Sequence, residues 1–294
     1  MNTFAPIAEM TIPLLVGIAG ILVLIGWGNR SVAVAWAACI FGVGAAEWTL
    51  WDEPGGLRML GLVFILLLGM KAVVHAHHAE RLSFGRYLAF ALLWLGMRPR
   101  VFATQARLDW KRLFLEGAGC FMAGFGLIQI GNLWIGLAGL SLMLHFGIMA
   151  MASGGWRLLG VPANRLFRNP LKATTLPDFW SRRWNLGYVE MIAVAVFRPV
   201  RDRFGKKAGL VAAFAFSGLL HEVAISLPVH AGYGLPMLYF VIQAGLLSLE
   251  AKFEIRSRLW VLAGLLLPVG LLFHEAFLED VIGPALTDLN IVGL

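Results

Sequence analysis

Charged residues are scarce in this sequence. Only 14% of its 294 residues are charged, whereas 59% are hydrophobic and the mean hydropathy is +0.78. An average soluble domain has about 25% charged residues and roughly 45–50% apolar ones. A soluble monomer of this composition would have too little polar surface to cover itself. The composition therefore excludes an ordinary soluble domain and indicates a membrane protein with several spans.

Cysteine is scarce as well. The two cysteines, Cys39 and Cys120, lie in separate apolar runs, which excludes a disulfide framework and a Cys-x-x-Cys metal pair. The glycine patterns of phosphate-binding and dinucleotide-binding loops are also missing from the sequence. We therefore predict no resident cofactor and no metal site.

The excess of positive charge does not indicate a nucleic-acid partner. The net charge is +7 and the isoelectric point about 9.8. The basic residues sit between apolar runs instead of forming a basic face interleaved with aromatic side chains. Such asymmetry is the ordinary signal of membrane topology, with basic loops on the cytoplasmic side.

The hydropathy pattern predicts an all-α polytopic membrane protein. A spanning helix needs about 20 apolar residues. Eight runs meet that length: 11–28, 31–50, 57–76, 113–131, 133–152, 208–228, 233–250 and 259–275. The first run lacks a basic segment before it, so we expect a retained span and no signal peptide.

Two shorter apolar stretches, 84–97 and 186–197, are flanked by basic segments. If both crossed the membrane, basic segments would fall on both sides, so we predict that they are re-entrant or interfacial. Irregular backbone at membrane depth survives only inside protein or along a cavity. We therefore predict a single integral-membrane domain over 1–294, a bundle of about eight spans around a central cavity, with both termini outside.

The clearest chemical candidate is His221, in the run Phe214-x-x-Ser217-Gly218-x-x-His221-Glu222 within an apolar span. An ionisable group inside a span is expensive and usually functional. Burial disfavours the imidazolium form, and a neutral imidazole is what a general base needs. Ser217, four residues earlier, shares its helix face and is a candidate partner for one ring nitrogen. The alternative is a buried histidine bonded to a backbone carbonyl on a neighbouring helix.

A second candidate is the run 169–185, which leads from a basic loop into the stretch 186–197. Asp178 follows Pro177 where a helix N-cap is expected. Trp180 and Trp184 are four residues apart and would share a helix face. Tryptophan and arginine are also typical of the headgroup region, so an interfacial anchor is the alternative interpretation. That alternative explains Asn185 poorly.

Together the two runs resemble the signature of the wax-synthase branch of the membrane-bound O-acyltransferases. That signature is approximately Ala-Thr-Ser-x-x-Asp-Phe-Trp-Gly-Arg-Arg-Trp-Asn, followed some 35 residues later by Phe-x-x-Ser-Gly-x-x-His-Glu. In this chain Asn185 and His221 are 36 residues apart. Ser181 stands where the family usually has glycine, and Thr175 replaces serine. The resemblance covers about 145–230.

The resemblance implies an acyltransferase that moves a fatty acyl group from acyl-CoA, its co-substrate, to the hydroxyl of a lipid-soluble alcohol. It implies that His221 is the catalytic histidine and that Asn185 is its partner, polarising or positioning the thioester. We expect the alcohol to be a long-chain or isoprenoid-like one, with diacylglycerol or a sterol as alternatives, and the membrane to be a bacterial inner membrane. The remaining motif residues are candidates for substrate binding: Asp178, Trp180, Arg182, Arg183, Trp184, Ser217 and Glu222.

Arg182, Arg183 and Lys172 are suited to the phosphates of CoA, although the positive-inside bias alone explains each of them. The cluster His75, His77 and His78 invites a metal interpretation, but a helix end carrying histidines is the more ordinary one.

Two other functions are compatible with parts of the sequence. An intramembrane serine protease would pair Ser217 with His221 or Ser153 with His145, but no Gly-x-Ser-x-Gly elbow is present. A lipid transporter or lipid-binding protein is the non-enzymatic alternative. Transporters often carry similar broken helices in both halves, and the two short stretches here are dissimilar.

Overall fold

The computed structural model describes residues 5–79 and 81–291. Within those residues the chain is mostly helical, with no β-strand, which confirms the all-α class. The N-terminal half contains eight α-helices: α1 Ala5–Gly28, α2 Val32–Thr49, α3 Gly55–Ala76, α4 Phe84–Leu93, α5 Arg100–Ala103, α6 Lys111–Ile128, α7 Leu133–Ser141 and α8 Met149–Leu158. The π-helical turn π1, Leu142–Ile148, joins α7 to α8.

The C-terminal half is more broken. Its α-helices are α9 Leu176–Asp178, α10 Leu186–Ile192, α11 Arg198–His221, α12 Leu227–Val229, α13 Leu235–Phe253, α14 Arg258–Leu266, α15 Val269–Leu272, α16 Glu275–Phe277 and α17 Gly283–Leu289. Four π-helical turns lie between them: π2 Phe179–Arg183, π3 Ala193–Phe197, π4 Glu222–Ser226 and π5 Leu278–Ile282. Isolated π turns inside α-helices are frequent at functional sites.

The outer surface is apolar, as expected of a bundle in lipid. Side chains such as Phe41, Trp48 and Leu267 are more than three-quarters exposed. Contiguous apolar surface on this scale marks contact with a membrane or a partner. Five helical segments are long and apolar enough to cross a bilayer, or six if the bent pair at the C-terminal end is one span.

The predicted count of eight spans is not confirmed. The run 259–275 is not a straight span, because helices 258–272 and 275–289 meet at an angle of 76°. The helices α6 and α13 have the predicted positions but carry charged residues at one end, Lys111, Arg112 and Glu116 in the first turns of α6 and Glu250 and Lys252 in the last turn of α13. Helix α4 has ten residues, about 15 Å, which is too short to cross and agrees with the prediction for 84–97.

Close helix packing depends on glycine where α6 meets the segment α7–π1–α8. A Cβ atom on Gly124 would lie 2.5 Å from the carbonyl oxygen of Gly139, and one on Gly117 would lie 2.9 Å from that of Gly147. Small residues are what allow membrane helices to approach at backbone distance. This packing fixes α6 beside the helix that carries His145.

The segment 186–229 is a helical hairpin. Gly205 has φ 84° and ψ 169°, and beyond it the chain turns back. A Cβ on Gly209 would lie 3.0 Å from the carbonyl oxygen of Phe197, although twelve residues of straight helix span about 18 Å. The stretch 186–197, predicted to be re-entrant or interfacial, thus lies in the first arm of this hairpin, and the basic stretch 198–207 forms its tip.

A buried arginine ties the far end of the hairpin to α2 and α3. The guanidinium of Arg58, only 3% exposed, pairs with Glu47 and contacts His230. It also donates to the carbonyl oxygen of Trp51 at 2.8 Å and to that of Leu227 at 3.3 Å. Since His221 lies on the same arm as Leu227, this cluster helps to fix the position of the histidine.

Candidate active site

The register of the hairpin places Asn185 level with His221. Phe197 faces Gly209, and the rings of Tyr188 and His221 are 6.2 Å apart between centroids. Tyr188 lies nine residues before Phe197 and His221 lies twelve after Gly209, so this ring contact is about one helical turn away from an equal count along the two arms. Counting twelve residues back from Phe197 and twelve on from Gly209 pairs Asn185 with the turn that carries His221. No hydrogen bond joins the two side chains in the described part of the chain.

His221 is held in one orientation by the backbone of its own helix. Its Nδ1 atom lies 2.7 Å from the carbonyl oxygen of Ser217, and its ring packs 4.5 Å from that of Phe240. Because a carbonyl oxygen only accepts, Nδ1 carries the proton and Nε2 presents a lone pair. The Nε2 atom makes no hydrogen bond with any residue that the structure describes. This is the arrangement that a general base requires.

The hydroxyl of Ser217 is not the partner of His221 that the helix spacing predicted. It donates to the carbonyl oxygen of Ala213 at 2.8 Å, the usual bond of a serine inside a helix. The phenol of Tyr188 is buried beside Ser217, and its hydroxyl has no partner of good geometry in the described residues. The alternative, a bond to a backbone carbonyl on a neighbouring helix, is also not what the structure shows: Nδ1 bonds a carbonyl of its own helix, and Nε2 makes no hydrogen bond with a described residue.

Asn185 begins the first arm of the hairpin. Its backbone is left-handed, with φ 40°, and its Oδ1 atom accepts from the backbone N–H of Tyr188 at 3.3 Å. Asparagine tolerates this backbone better than most residues and is a good N-cap. With Oδ1 used by the cap, the two N–H groups of the amide remain for another acceptor.

Asp178 is not the N-cap that the sequence predicted. Thr175 caps helix α9, since its side chain accepts from the backbone N–H of Asp178 at 3.2 Å. Threonine at that position is as suitable a cap, and the helix begins one residue before Pro177. Asp178 instead accepts from Nε of Arg183 at 2.5 Å, and Arg183 also donates to the carbonyl oxygen of Asn169.

Trp180 and Trp184 do not share a face. Trp180 donates from Nε1 to the side chain of Gln243 at 3.3 Å and packs on Phe240, the residue behind His221. Trp184 follows the end of π2 in an extended conformation and stacks on Phe179 at 5.4 Å. Residues four apart share a face only in an unbroken α-helix. The π turn π2 interrupts the helix between these two tryptophans, so the spacing does not apply.

Of the remaining candidate residues, some are exposed and others are bonded to groups of the protein itself. Arg182 and Lys172 are exposed, and neither pairs with a described residue. Arg183 is half-buried and forms an ion pair with Asp178. The Oε1 atom of Glu222 accepts from the backbone N–H groups of Gly234 and Met237 at 3.0 and 2.9 Å, so this carboxylate caps α13 next to His221.

The structure places His145 next to the segment that carries Asn185, although no other candidate residue lies near it in the sequence. Its ring lies 4.7 Å from that of Phe167 and 5.4 Å from that of Trp184, the residue before Asn185. Its Nδ1 atom bonds the hydroxyl of Ser141 at 3.0 Å. The only sequence signal for it was an ionisable group inside an apolar run, the same signal that identified His221.

The cluster of His75, His77 and His78 forms no metal site in the described residues, where no group of three His, Cys, Asp or Glu side chains converges. Helix α3 ends at Ala76, so His78 lies beyond it. His75 is buried and bonds the carbonyl oxygen of Gly26 at 2.8 Å.

Comparison with known proteins supports the identity of this region. Residues 163–242 match the membrane bound O-acyl transferase family. A probable long-chain-alcohol O-fatty-acyltransferase 1 from Arabidopsis thaliana is 43% identical over 75 residues, and the long-chain-alcohol O-fatty-acyltransferase of Simmondsia chinensis is 37% identical over 73. The diacylglycerol O-acyltransferase 1 of Dictyostelium discoideum is 28% identical over 105 residues, 35% of this chain and 16% of its own length.

The similarity is local. The segment aligned with the Arabidopsis protein is 22% of this chain and 22% of that relative's length, and for the Simmondsia protein the shares are 22% and 21%. The family match at 163–242 contains the hairpin with Asn185 and His221. Over these residues the chain is thus similar to membrane-bound O-acyltransferases, as the two motifs indicated, and it spans about a fifth of the length of the long-chain-alcohol O-fatty-acyltransferases that it matches.

Proposed function

We propose that the protein transfers a fatty acyl group from acyl-CoA to the hydroxyl of a lipid-soluble alcohol and so forms an ester. The observation that carries the proposal is the state of His221, whose Nδ1 atom is bound to a backbone carbonyl while Nε2 presents a lone pair without a described partner, on the hairpin whose first arm Asn185 caps. The relatives named for this reaction act on long-chain alcohols. We propose an acceptor of the same class, with diacylglycerol as the second candidate because of the Dictyostelium relative.

In the proposed reaction, Nε2 of His221 removes the proton of the alcohol as its oxygen attacks the thioester carbonyl carbon. The carbonyl oxygen becomes an oxyanion and accepts from the side-chain amide of Asn185. One such donor contributes on the order of 2.7–4 kcal/mol in a dry site. Collapse of the tetrahedral intermediate breaks the carbon–sulfur bond, and the imidazolium returns its proton to the departing CoA thiolate.

No covalent acyl-enzyme is needed. Cys39 is buried against Met70, and Cys120 forms no hydrogen bond with a described residue. A serine-protease role for Ser217 and His221 is disfavoured, because the serine hydroxyl donates to a backbone carbonyl and not to the histidine. Location in a bacterial inner membrane stays part of this proposal, since the named plant relatives do not address it.

The proposal is tested with wild-type and His221→Ala protein expressed to matched levels in membranes. Each preparation receives a labelled acyl-CoA and a mixed pool of lipid alcohols, and mass spectrometry identifies the esters. Loss of a general base lowers the rate about 10²-fold or more. His77→Ala, an exposed histidine outside the site, is the matched control and keeps the wild-type rate.

Equal ester formation by wild-type and His221→Ala protein would contradict the assigned mechanism. Absence of any ester with wild-type protein, across acyl chains and alcohols, would contradict the acyltransferase function itself and favour the non-enzymatic alternative.

A further inference from the structure

The tip of the hairpin, residues 198–207, is a small basic surface. Its basic side chains are all exposed and outnumber its single acid, Asp202. They are Arg198, Arg201, Arg203, Lys206 and Lys207. Arg201 pairs with Asp202 at 2.8 Å, and its guanidinium lies 5.6 Å from the centre of the Phe197 ring. The other cations of the tip form no ion pair with any residue that the structure describes.

An aromatic side chain stands among these charges. Phe204 is 71% exposed and precedes Gly205, at which the chain turns back. The positive-inside bias accounts for lysine and arginine on the cytoplasmic side, but it does not account for an exposed phenylalanine between them. Basic side chains combined with phenylalanine are typical of segments that lie in the membrane interface, with the ring towards the acyl chains.

The length of the second arm places the tip at the depth of the lipid headgroups. Residues 208–229 run from the tip through His221 to the end of α12, within a segment that is apolar enough to cross a bilayer. About 22 helical residues rise about 33 Å, close to the thickness of the hydrocarbon core. When this arm crosses the bilayer, the tip therefore lies among the headgroups of the cytoplasmic leaflet.

Charge complementarity indicates the chemical class of the ligand. Anionic phospholipids give the cytoplasmic leaflet a negative surface potential, which attracts clusters of lysine and arginine beside a spanning helix. An acidic protein or the phosphates of CoA would also neutralise these cations. The depth of the tip and the exposed ring of Phe204 favour the lipid surface, which offers phosphates to the cations and acyl chains to the ring.

We propose that residues 198–207 bind the headgroups of anionic phospholipids and that this contact holds the two arms of the hairpin in register. A Cβ on Gly209 would lie 3.1 Å from that of Arg201, so the tip packs directly on the start of the second arm. Since the arms carry Asn185 and His221, ester formation depends on the lipid composition of the membrane. The effect on ester formation rests on the proposed function, whereas the binding of lipid does not.

The first test measures lipid binding without turnover. Purified, delipidated protein in detergent receives phosphatidylglycerol or phosphatidylcholine with identical acyl chains, and native mass spectrometry counts the lipids bound to each protein molecule. Because the chains are the same, any difference in affinity reports the headgroup. Phosphatidylglycerol is expected to bind about 10-fold more tightly than phosphatidylcholine.

Two variants with the same loss of charge assign this preference to the tip. One variant removes three charges from the tip: Arg203→Gln, Lys206→Gln and Lys207→Gln. The control removes three exposed charges from the basic segment 98–112: Arg100→Gln, Arg107→Gln and Lys111→Gln. The preference for phosphatidylglycerol is expected to fall to within about 2-fold in the tip variant and to stay at about 10-fold in the control. Equal losses in both variants, or no preference in wild-type protein, would overturn the assignment.

Two soluble anions separate the lipid from the other ligands. CoA without an acyl chain and a polyglutamate peptide are each expected to leave the binding of phosphatidylglycerol within about 2-fold. Displacement by CoA would make the tip part of the donor site, and displacement by polyglutamate would indicate an acidic protein partner. Either result would overturn the lipid assignment.

The aromatic side chain has its own test. Phe204→Ala is expected to weaken the binding of both lipids about 10-fold, because the ring no longer enters the apolar part of the leaflet, while Phe204→Trp keeps it. Unchanged binding in Phe204→Ala would overturn the insertion of this ring.

The second test measures ester formation in lipid nanodiscs. Wild-type protein in phosphatidylcholine is compared with protein in phosphatidylcholine that contains about one-third phosphatidylglycerol, and kcat is expected to be about 5-fold higher in the anionic membrane. An anionic surface repels the phosphates of CoA, so enrichment of the donor does not explain such a rise. The tip variant should have the same kcat in both membranes, while the control variant responds as the wild type does.

The outcomes separate this inference from the proposed function. If wild-type protein forms ester with the same kcat in both membranes, the coupling between the tip and the site is overturned although the protein is an acyltransferase. If wild-type protein forms no ester in either membrane, the proposed function fails, and a preference for phosphatidylglycerol that only the tip variant loses would still establish the lipid contact.

Discussion

The Nδ1 atom of His221 donates to the carbonyl oxygen of Ser217 at 2.7 Å, one turn earlier in the same helix. This bond fixes both the tautomer and the direction of the ring, because the acceptor belongs to the backbone. Second partners that orient a functional histidine are usually carbonyls or carboxylates. Here the orientation of the ring does not depend on the identity of any other side chain.

The first prediction concerns the serine itself. Because Ser217 contributes its carbonyl and not its hydroxyl, Ser217→Ala keeps the bond to His221. We expect the rate of ester formation to fall less than about 10-fold, whereas His221→Ala lowers it about 10²-fold or more. Rates at saturating acyl-CoA and alcohol provide the comparison. A loss in Ser217→Ala as large as that in His221→Ala would show that the hydroxyl takes part.

The second prediction separates the two functions of Asn185. Asn185→Asp keeps an oxygen to accept from the backbone N–H of Tyr188, but it replaces the amide donor with a negative charge. We expect a folded protein whose kcat is about 10²–10³-fold lower, the usual loss for one oxyanion donor. Asn132→Asp is the matched control, because Asn132 also caps a helix through its side chain and lies outside the site.

Two measurements are needed for this variant. The melting temperature reports the cap, which contributes about 1 kcal/mol, and kcat reports the donor. If Asn185→Asp melts at the wild-type temperature and also keeps most of its kcat, Asn185 is a cap only, and the oxyanion must be stabilised by another group.

The fold class was predictable from the sequence, and His221 and Asn185 could be proposed from it, because each inference depends on local or bulk properties. Scarcity of charge indicates a membrane protein wherever the helices lie. His221 is recognisable as an ionisable residue surrounded by leucine, valine and alanine, and Asn185 by the residues next to it.

The hairpin and the position of His145 were not predictable, because they depend on distant contacts. The basic stretch 198–207 has the composition of a cytoplasmic loop, and only the backbone angles of Gly205 show that two helical arms meet there. His145 lies 39 residues before Trp184 in the sequence, yet their rings are 5.4 Å apart. The π turns also shift side-chain directions away from the spacing of an α-helix, as at Trp180 and Trp184.

The third prediction concerns Lys71, which is fully buried and has no acidic partner in the described residues. Its ammonium group donates to the carbonyl oxygens of Phe90, Trp94 and Gly96 at 2.9, 2.8 and 2.5 Å, so all three N–H groups are used. These carbonyls lie at the C-terminal end of α4 and in the loop after it. That loop packs directly on Gly187, two residues after Asn185.

Lys71→Met keeps the length of the side chain and removes the three donors. Buried carbonyls left without partners cost about 1–3 kcal/mol each, so we expect a loss of about 3 kcal/mol and a melting temperature lower by several degrees. Lys252→Met, at an exposed lysine, serves as the control and should melt as wild type does. An unchanged melting temperature for Lys71→Met would mean that the ammonium group does not hold α4.

The last prediction tests the hairpin at its tip. The angles of Gly205, φ 84° and ψ 169°, belong to a region that is essentially restricted to glycine, so Gly205→Ala should cost about 1–3 kcal/mol. Because the turn sets the register that brings Asn185 level with His221, kcat should fall as well. Gly245→Ala lies inside α13 with no atom within 4 Å and should be neutral or stabilising by up to about 1 kcal/mol.

Thermal melting and ester formation measured on both variants distinguish the possibilities. A lower melting temperature with unchanged kcat would mean that the register is held elsewhere along the arms, at contacts such as that of Gly209 with Phe197. Wild-type values of both quantities in Gly205→Ala would contradict a chain reversal at this residue. Because the two arms carry Asn185 and His221 at their far ends, such a result would also remove the structural reason for placing these residues in one site.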